Sequence, residues 1–274
     1  MKSNGSSLGK DKLRQAMLLT MVMNAQYILK ECATMSSGSN IERQINMGLL
    51  VKASKLYGSI TSTKRLQDDD SQTIQISMRT LFEVCLSLIY LVINEDEELY
   101  KEFVLTDMMR RRNMRDATLA SPLSQSHPLM KKTVKDIEDS IRTEGFDPEQ
   151  LPKGYPQSWH RSISYARMAR EAGPELENMY STFYGLSSSI SHPSWQDLTR
   201  SHLKPSNVSG TMNPNFEFIP VMELDVEMST CIVLGAAYPF ALKFAPKNSI
   251  QADHISKIHD NLHKQRLLAW EAIA

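Results

Sequence analysis

The chain has little of what a turn-rich β protein needs. Its 274 residues contain 11 Gly and 12 Pro, too few punctuators for many strands joined by tight turns. It has three cysteines, Cys32, Cys85 and Cys231. An odd number, far apart in apolar stretches, excludes a disulfide framework and predicts reduced, buried thiols. There is no excess of charge: 31 Lys+Arg face 31 Asp+Glu. That excludes a basic coat over the whole molecule, though not a local basic patch. No apolar run reaches the ~20 residues of a spanning helix. The longest, Leu81–Ile93 (interrupted by Glu83) and Cys231–Leu242, read as buried core helices. Met1 to Lys12 is polar and lacks the apolar segment of a secretory signal. The expectation is a cytoplasmic protein with no membrane attachment. What is present, 41% apolar and 23% charged residues, is the composition of a globular chain with a substantial core.

The patterning is helical. Residues 1–9 read as a loose tail. Leu13, Met17, Met21, Asn24 and Ile28 space out a first helix from Lys10 to about Met35. A Ser36–Asn40 turn precedes a second helix to about Leu66, with Ile45, Leu49, Ala53, Leu56 and Ile60 on its inner face. The third, Gln72–Ile93, is apolar almost all round from Phe82 on, which marks a central helix. Asn94 is expected to cap a fourth helix that opens on Glu95–Glu98 and closes on Arg110–Arg112, the order a helix dipole favours. Further helices are expected at Pro128–Glu144, Ser158–Ala172 and Glu175–Ser191. A long loop covers 203–220. A C-terminal pair of helices, Val221–Phe244 and Ser249–Ile273, completes the chain, with Pro239 expected to kink or interrupt the first. No run alternates with period two. The expected fold is all-α: a single bundle-like domain of about eight to ten helices over 10–274.

Two constellations carry polar chemistry. Arg79 and Glu83 lie four apart on the central helix and so share a face, flanked by Phe82 and Leu86. A charged pair there is at least partly buried and must be partnered; it reads either as a structural tie between helices or as a preorganised polar pocket. Tyr180, Tyr184, Ser188 and His192 also step by four along one face, while Leu176, Phe183 and Ile190 point inward. Four serines in five positions fill an interior helix poorly unless something polar lies opposite. His192 precedes Pro193, so it stands where a helix stops, as a site residue or as a capping group on the last carbonyls.

These residues carry a resemblance. Ser77-Met-Arg79-Thr-Leu-Phe-Glu83 with Leu88-Ile-Tyr90 is similar to the signature of a bacterial family of all-helical proteins without a settled activity. Trp159-His160-Arg161-Ser162-Ile163, the Ala-Arg-Glu-Ala-Gly stretch at 169–173, and Tyr180…Tyr184-x-x-Ser187…Ser191-His192-Pro193 resemble its second signature. The resemblance covers about residues 40–200. It implies that Arg79, Glu83, Tyr184 and His192 come together. A looser likeness is to HEPN-type helical ribonucleases, which cleave RNA without metal using an Arg and a His. That likeness implies His192 as general acid/base, Arg79 as phosphate stabiliser, and Glu83 orienting one of them, in a toxin or anti-phage effector. Gly185, Leu186 and Ser187 occupy the positions where an Arg would precede the His on one helix, so the site would be assembled from two helices. The alternative is a noncatalytic interaction module whose cluster only fixes packing and whose exposed helices bind a partner protein or a second copy. A weaker reading is a sensor for a nucleotide or another anion.

Arg110, Arg111, Arg112 and Arg115 form a basic run suited to gripping phosphates, or to pairing with local acids. His259 and His263 stand four apart with His254 upstream, but without a third ligand or the H-E-x-x-H base. No metal site and no cofactor are therefore expected. Glycine-rich phosphate loops, nucleophile elbows and paired-cysteine motifs are missing from the sequence.

Overall fold

The structure is a computed structural model that describes residues 23–30, 32, 41–63, 71–122, 127–154, 159, 163–184, 203–206, 212–214 and 223–244, with 253, 256, 257 and 260. The N-terminal tail, the Ser36–Asn40 turn, Ser188, His192 and the histidines 254, 259 and 263 lie outside them.

The described residues are helical apart from short connections and one small hairpin, the all-α class that the patterning predicts. They group into two compact units, Glu95–Ser164 and the chain on either side of it.

The flanking unit is built on α2 (Ser71–Asn94), packed against α1 (Ile41–Thr63) and α7 (Glu223–Phe244). Ile74, Met78, Leu81, Phe82, Cys85, Leu88 and Leu91 are each no more than 2% exposed, because the helix is apolar around most of its girth. By length and hydropathy Thr73–Asn94 would pass for a membrane span, yet 67% of its most apolar stretch is buried within the chain. Its surface is engaged by neighbouring helices. On α1 the buried face centres on Leu50, Ala53, Tyr57 and Ile60. Tyr57, rather than the expected Leu56, points inward because its hydroxyl bonds Thr230 of α7 at 2.9 Å. Helix α7 runs on to Phe244 through Pro239, where the sequence predicts a kink or an interruption; the helix is not interrupted. The ring removes one bond to the carbonyl of Gly235, and the buried side of α7 (Ile232, Val233, Ala236, Phe240) keeps the helix together across it. Residues 23–30 add a helical segment that buries Ala25, Ile28 and Leu29.

Short pieces follow on the C-terminal side of this unit. Helix α5 is Tyr165–Ala172, α6 is Pro174–Met179, and a π-helical turn covers Tyr180–Tyr184. Helix α5 starts at Tyr165, with Ile163 and Ser164 outside it; Ser158 and residues 160–162 of the expected helix lie outside the described residues. Gly173, at φ +126°, separates α5 from α6 in a conformation that glycine adopts without strain. The 203–220 stretch contains the hairpin. Leu203–Pro205 (β1) pairs antiparallel with Met212–Pro214 (β2). Three-residue strands, each ending in proline, are too short to leave a period-two signal.

The inserted unit holds α3 (Glu97–Ala120) and α4 (Pro128–Thr143) around Met108, Ile137, Ile141 and Leu151. Two features of α3 differ from the sequence expectation. The N-cap of α3 is Asp96, whose carboxylate accepts from the Glu98 amide at 2.9 Å. Asn94 instead turns back to donate to the Tyr90 carbonyl at the end of α2. Helix α3 also runs eight residues past Arg112, so the arginines stand mid-helix and its last turn carries no basic residue. Helix α4 ends in a Schellman arrangement: Gly145 (φ +83°) donates to Arg142, Phe146 donates to Ile141, and Phe146 packs on the same core as Ile141.

Candidate functional site

The polar residues of α2 meet the π-helical turn. Arg79 and Glu83, one turn apart, are joined by a 3.2 Å contact from Nε to Oε1. Arg79 Nη2 donates to the Tyr184 hydroxyl at 3.0 Å, and that hydroxyl donates onward to Glu83 Oε1 at 3.2 Å. Guanidinium, carboxylate and phenol close a triangle, although Tyr184 is 101 residues beyond Glu83. The guanidinium carbon also lies 4.8 Å from the centre of the Tyr184 ring, within cation–π range. Nε and Nη2 are engaged; Nη1 is buried with no hydrogen-bond partner among the described residues. A charged donor left so is unusual in a folded chain and calls for a reason.

The triangle stands against aromatic rings. Tyr180 stacks on Tyr184 at 4.6 Å with 18° between planes. Phe82, buried on α2, lies 6.4 Å from Tyr180 and 6.5 Å from Tyr184. Tyr165, at the start of α5, lies 6.3 Å from Tyr184. Phe82 is the closed floor, at 1% exposure, whereas the three tyrosines are partly exposed. The side chains of Arg79 and Glu83 are 18% and 28% exposed. A π-helical turn is a local departure from the α-helix found often at functional positions.

The electrostatics follow from these contacts. Burial is the largest effect on Arg79 and works against its charge, but the hydrogen bonds to Glu83 and Tyr184 outweigh it and hold the guanidinium above its ordinary value. Burial, and then the neighbouring Glu83 carboxylate, push the Tyr184 phenol above its ordinary value despite the opposing pull of Arg79. Near neutrality the site therefore presents a fixed cation and a neutral phenol.

Three of the four residues that the resemblance groups together thus meet, and the fourth, His192, lies outside the described residues. Tyr165 is not foreshadowed by any sequence pattern; a lone tyrosine opening a short helix carries no periodic signal.

The arginine run in the inserted unit divides. Arg112 and Arg115 are each 3% exposed. Arg112 donates to the Leu151 carbonyl at 2.6 Å. Arg115 reaches Glu149 at 2.6 Å, Asp116 at 2.7 Å and Glu138 at 3.5 Å. Arg111 pairs with Asp107 at 2.8 Å. Arg110 is exposed. The four do not form one open strip: two are turned inward to fasten the 147–151 segment, whose Asp147 carboxylate and carbonyl fold the chain back through Glu149, Gln150 and Leu151. In the same unit, Trp159 of the second signature packs edge-on against Phe103 at 5.2 Å. Among the described residues, no group of three or more His, Cys, Asp or Glu is arranged to hold a metal ion.

Comparison with curated proteins and with solved structures finds no match. A family model matches residues 44–210, more than half of the chain, and that span takes in α2, the inserted unit and the π-helical turn with its tyrosines. The chain belongs to the family of unknown function DUF5677.

Proposed function

We propose that the chain is a metal-independent, HEPN-like RNA-processing protein acting as a toxin or anti-phage effector. The observation that carries this reading is the Arg79 guanidinium, held charged by Glu83 and Tyr184 and set against an aromatic face, with Nη1 buried and without a hydrogen-bond partner among the described residues. Cleavage by attack of a 2′-hydroxyl on the adjacent phosphorus needs a cation aimed at the charge of the phosphorane and a group that moves protons. Arg79 is suited to the first task, and His192, eight residues past Tyr184, is assigned the second. Glu83 and Tyr184 fix the guanidinium so that little reorganisation remains when the phosphate arrives.

The test is incubation of the purified chain with total RNA, with and without a chelator, comparing wild type, Arg79→Ala and His192→Ala. Chelator-resistant cleavage lost in both variants is the expected result. An inert wild type overturns the proposal.

A noncatalytic interaction module is the second reading. It is favoured by the same triangle, since a guanidinium tying α2 to the π-helical turn is a sound structural bridge. Under that reading Arg79→Ala lowers stability by about 1–3 kcal/mol and wild-type protein leaves RNA intact.

A further inference from the structure

Helix α1 has one side that no described residue fills. An open groove of about 380 Å³ runs along it, lined by Gly48, Val51, Lys52, Lys55, Leu56 and Ser59. These positions step by three and four, so they share a face, and they span three turns, about 16 Å. The inner face, with Leu50, Ala53, Tyr57 and Ile60, is buried in the chain. On the groove side Gly48, Val51, Lys52, Lys55 and Ser59 are exposed and Leu56 is half-buried. Its floor is apolar, made of Val51, Leu56 and the lysine stems. Gly48 stands inside a 23-residue helix, where glycine lowers helix stability relative to an ordinary side chain. No described neighbour requires it there, because a methyl group at that position would meet no atom within 4 Å. An exposed mid-helix glycine lets another backbone approach closely, and here the open space above it is the groove.

The charges select the occupant. Lys52 and Lys55 make no ion pair among the described residues. Glu42 is the one acid on α1, and Lys243 binds it at the start of the helix. Two unpaired ammonium groups beside an apolar floor three turns long match a helix that carries carboxylates next to a stripe of small apolar residues. We infer that the outer face of α1 docks an amphipathic helix of a partner protein, its apolar stripe over Gly48, Val51 and Leu56 and its acidic residues on Lys52 and Lys55. A small-molecule site encloses most of its ligand, whereas this groove is open along its length. A second copy paired through the same face would bring lysines against lysines, and a nucleic acid would use the lysines but leave Val51 and Leu56 without a partner. The face shares no residue with the Arg79 triangle and owes nothing to RNA cleavage.

The test titrates the full chain, by fluorescence anisotropy, into three labelled 18-residue helical peptides that share an Ala/Leu face and carry Glu, Gln or Lys beside it. The Glu peptide is expected to bind at least tenfold more tightly than the Lys peptide. Gly48→Leu fills the groove and is expected to weaken the Glu peptide at least tenfold while raising the melting temperature, since leucine favours a helix over glycine. A glycine with a purely structural role would change the melting temperature alone. Should Gly48→Leu not fold, Val51→Asp on the same exposed face takes its place with the same expected loss. Lys52→Glu combined with Lys55→Glu is expected to reverse the order of the Glu and Lys peptides. Equal binding of the three peptides, or a folded Gly48→Leu protein that binds the Glu peptide within twofold of wild type, overturns the inference. Sedimentation of the chain alone and titration with a single-stranded DNA oligonucleotide test the other occupants. A concentration-dependent dimer lost in Gly48→Leu, or oligonucleotide binding lost in the double lysine variant, with no preference for the Glu peptide, assigns the face to a second copy or to nucleic acid and overturns the acidic helix.

Discussion

At the scale of single residues, the Arg79–Glu83–Tyr184 triangle concentrates three charge-assisted contacts on one phenol, one carboxylate and one guanidinium. Tyr184→Phe removes the bridge and leaves the ring stack with Tyr180 in place. We expect it to lower stability by about 1–2 kcal/mol, read as a fall in the urea midpoint. The cysteines yield a second residue-level expectation. Cys85 is fully enclosed on α2, and burial raises its thiol far above the ordinary value. A thiolate is the reactive form, so Cys85 should resist a thiol reagent in the native chain and react only at the rate of unfolding, as peptide mapping after timed labelling will show. Rapid native labelling of Cys85 would contradict its placement. The Arg79–Glu83 pair was legible in the sequence because both residues lie on one helix at a spacing of four. Their meeting with Tyr184 was approached only through a resemblance, since no local pattern links positions a hundred residues apart.

At the scale of elements, the arginine run shows how a composition signal divides in three dimensions. The expectation of a basic helix end rested on α3 stopping near Arg112. Instead the helix continues to Ala120, and a continuous helix turns successive residues by about 100°, so Arg112 and Arg115 face inward while Arg110 faces solvent. Burial and the Glu149 and Asp116 carboxylates act in opposite directions on Arg115, and the carboxylates prevail, holding it charged. Arg112→Ala strands the Leu151 carbonyl and is expected to cost about 2 kcal/mol in a urea titration, whereas Arg110→Ala should leave the midpoint unchanged. Equal effects for the two would mean that the inward placement is wrong. A second element-level test is Gly145→Ala. Its left-handed backbone ends α4, and a side chain there is expected to cost about 1 kcal/mol.

At the scale of the whole molecule, alkaline pH tests the enclosed phenols together. Burial, opposed by the bond to Thr230, raises the Tyr57 hydroxyl well above its ordinary value, and Tyr184 is raised as well. Below about pH 10 both groups keep their protons in the folded and unfolded chain alike and stability does not depend on them. Above it the unfolded chain releases protons that the folded chain retains, so stability falls as pH rises. The melting temperature of Tyr57→Phe should therefore decline less steeply than wild type between about pH 10 and 11. By itself the sequence determined the all-α class, the central position of α2 and the shared face of Arg79 and Glu83, because helical periodicity is a local property of neighbouring residues. Only the tertiary structure decided that Tyr184 completes the Arg79 triangle, that Tyr165 joins it, that Tyr57 outranks Leu56 for the interior, and that α7 survives Pro239. Each of these is settled by contacts between distant segments, whose energies exceed the local preferences that a sequence displays.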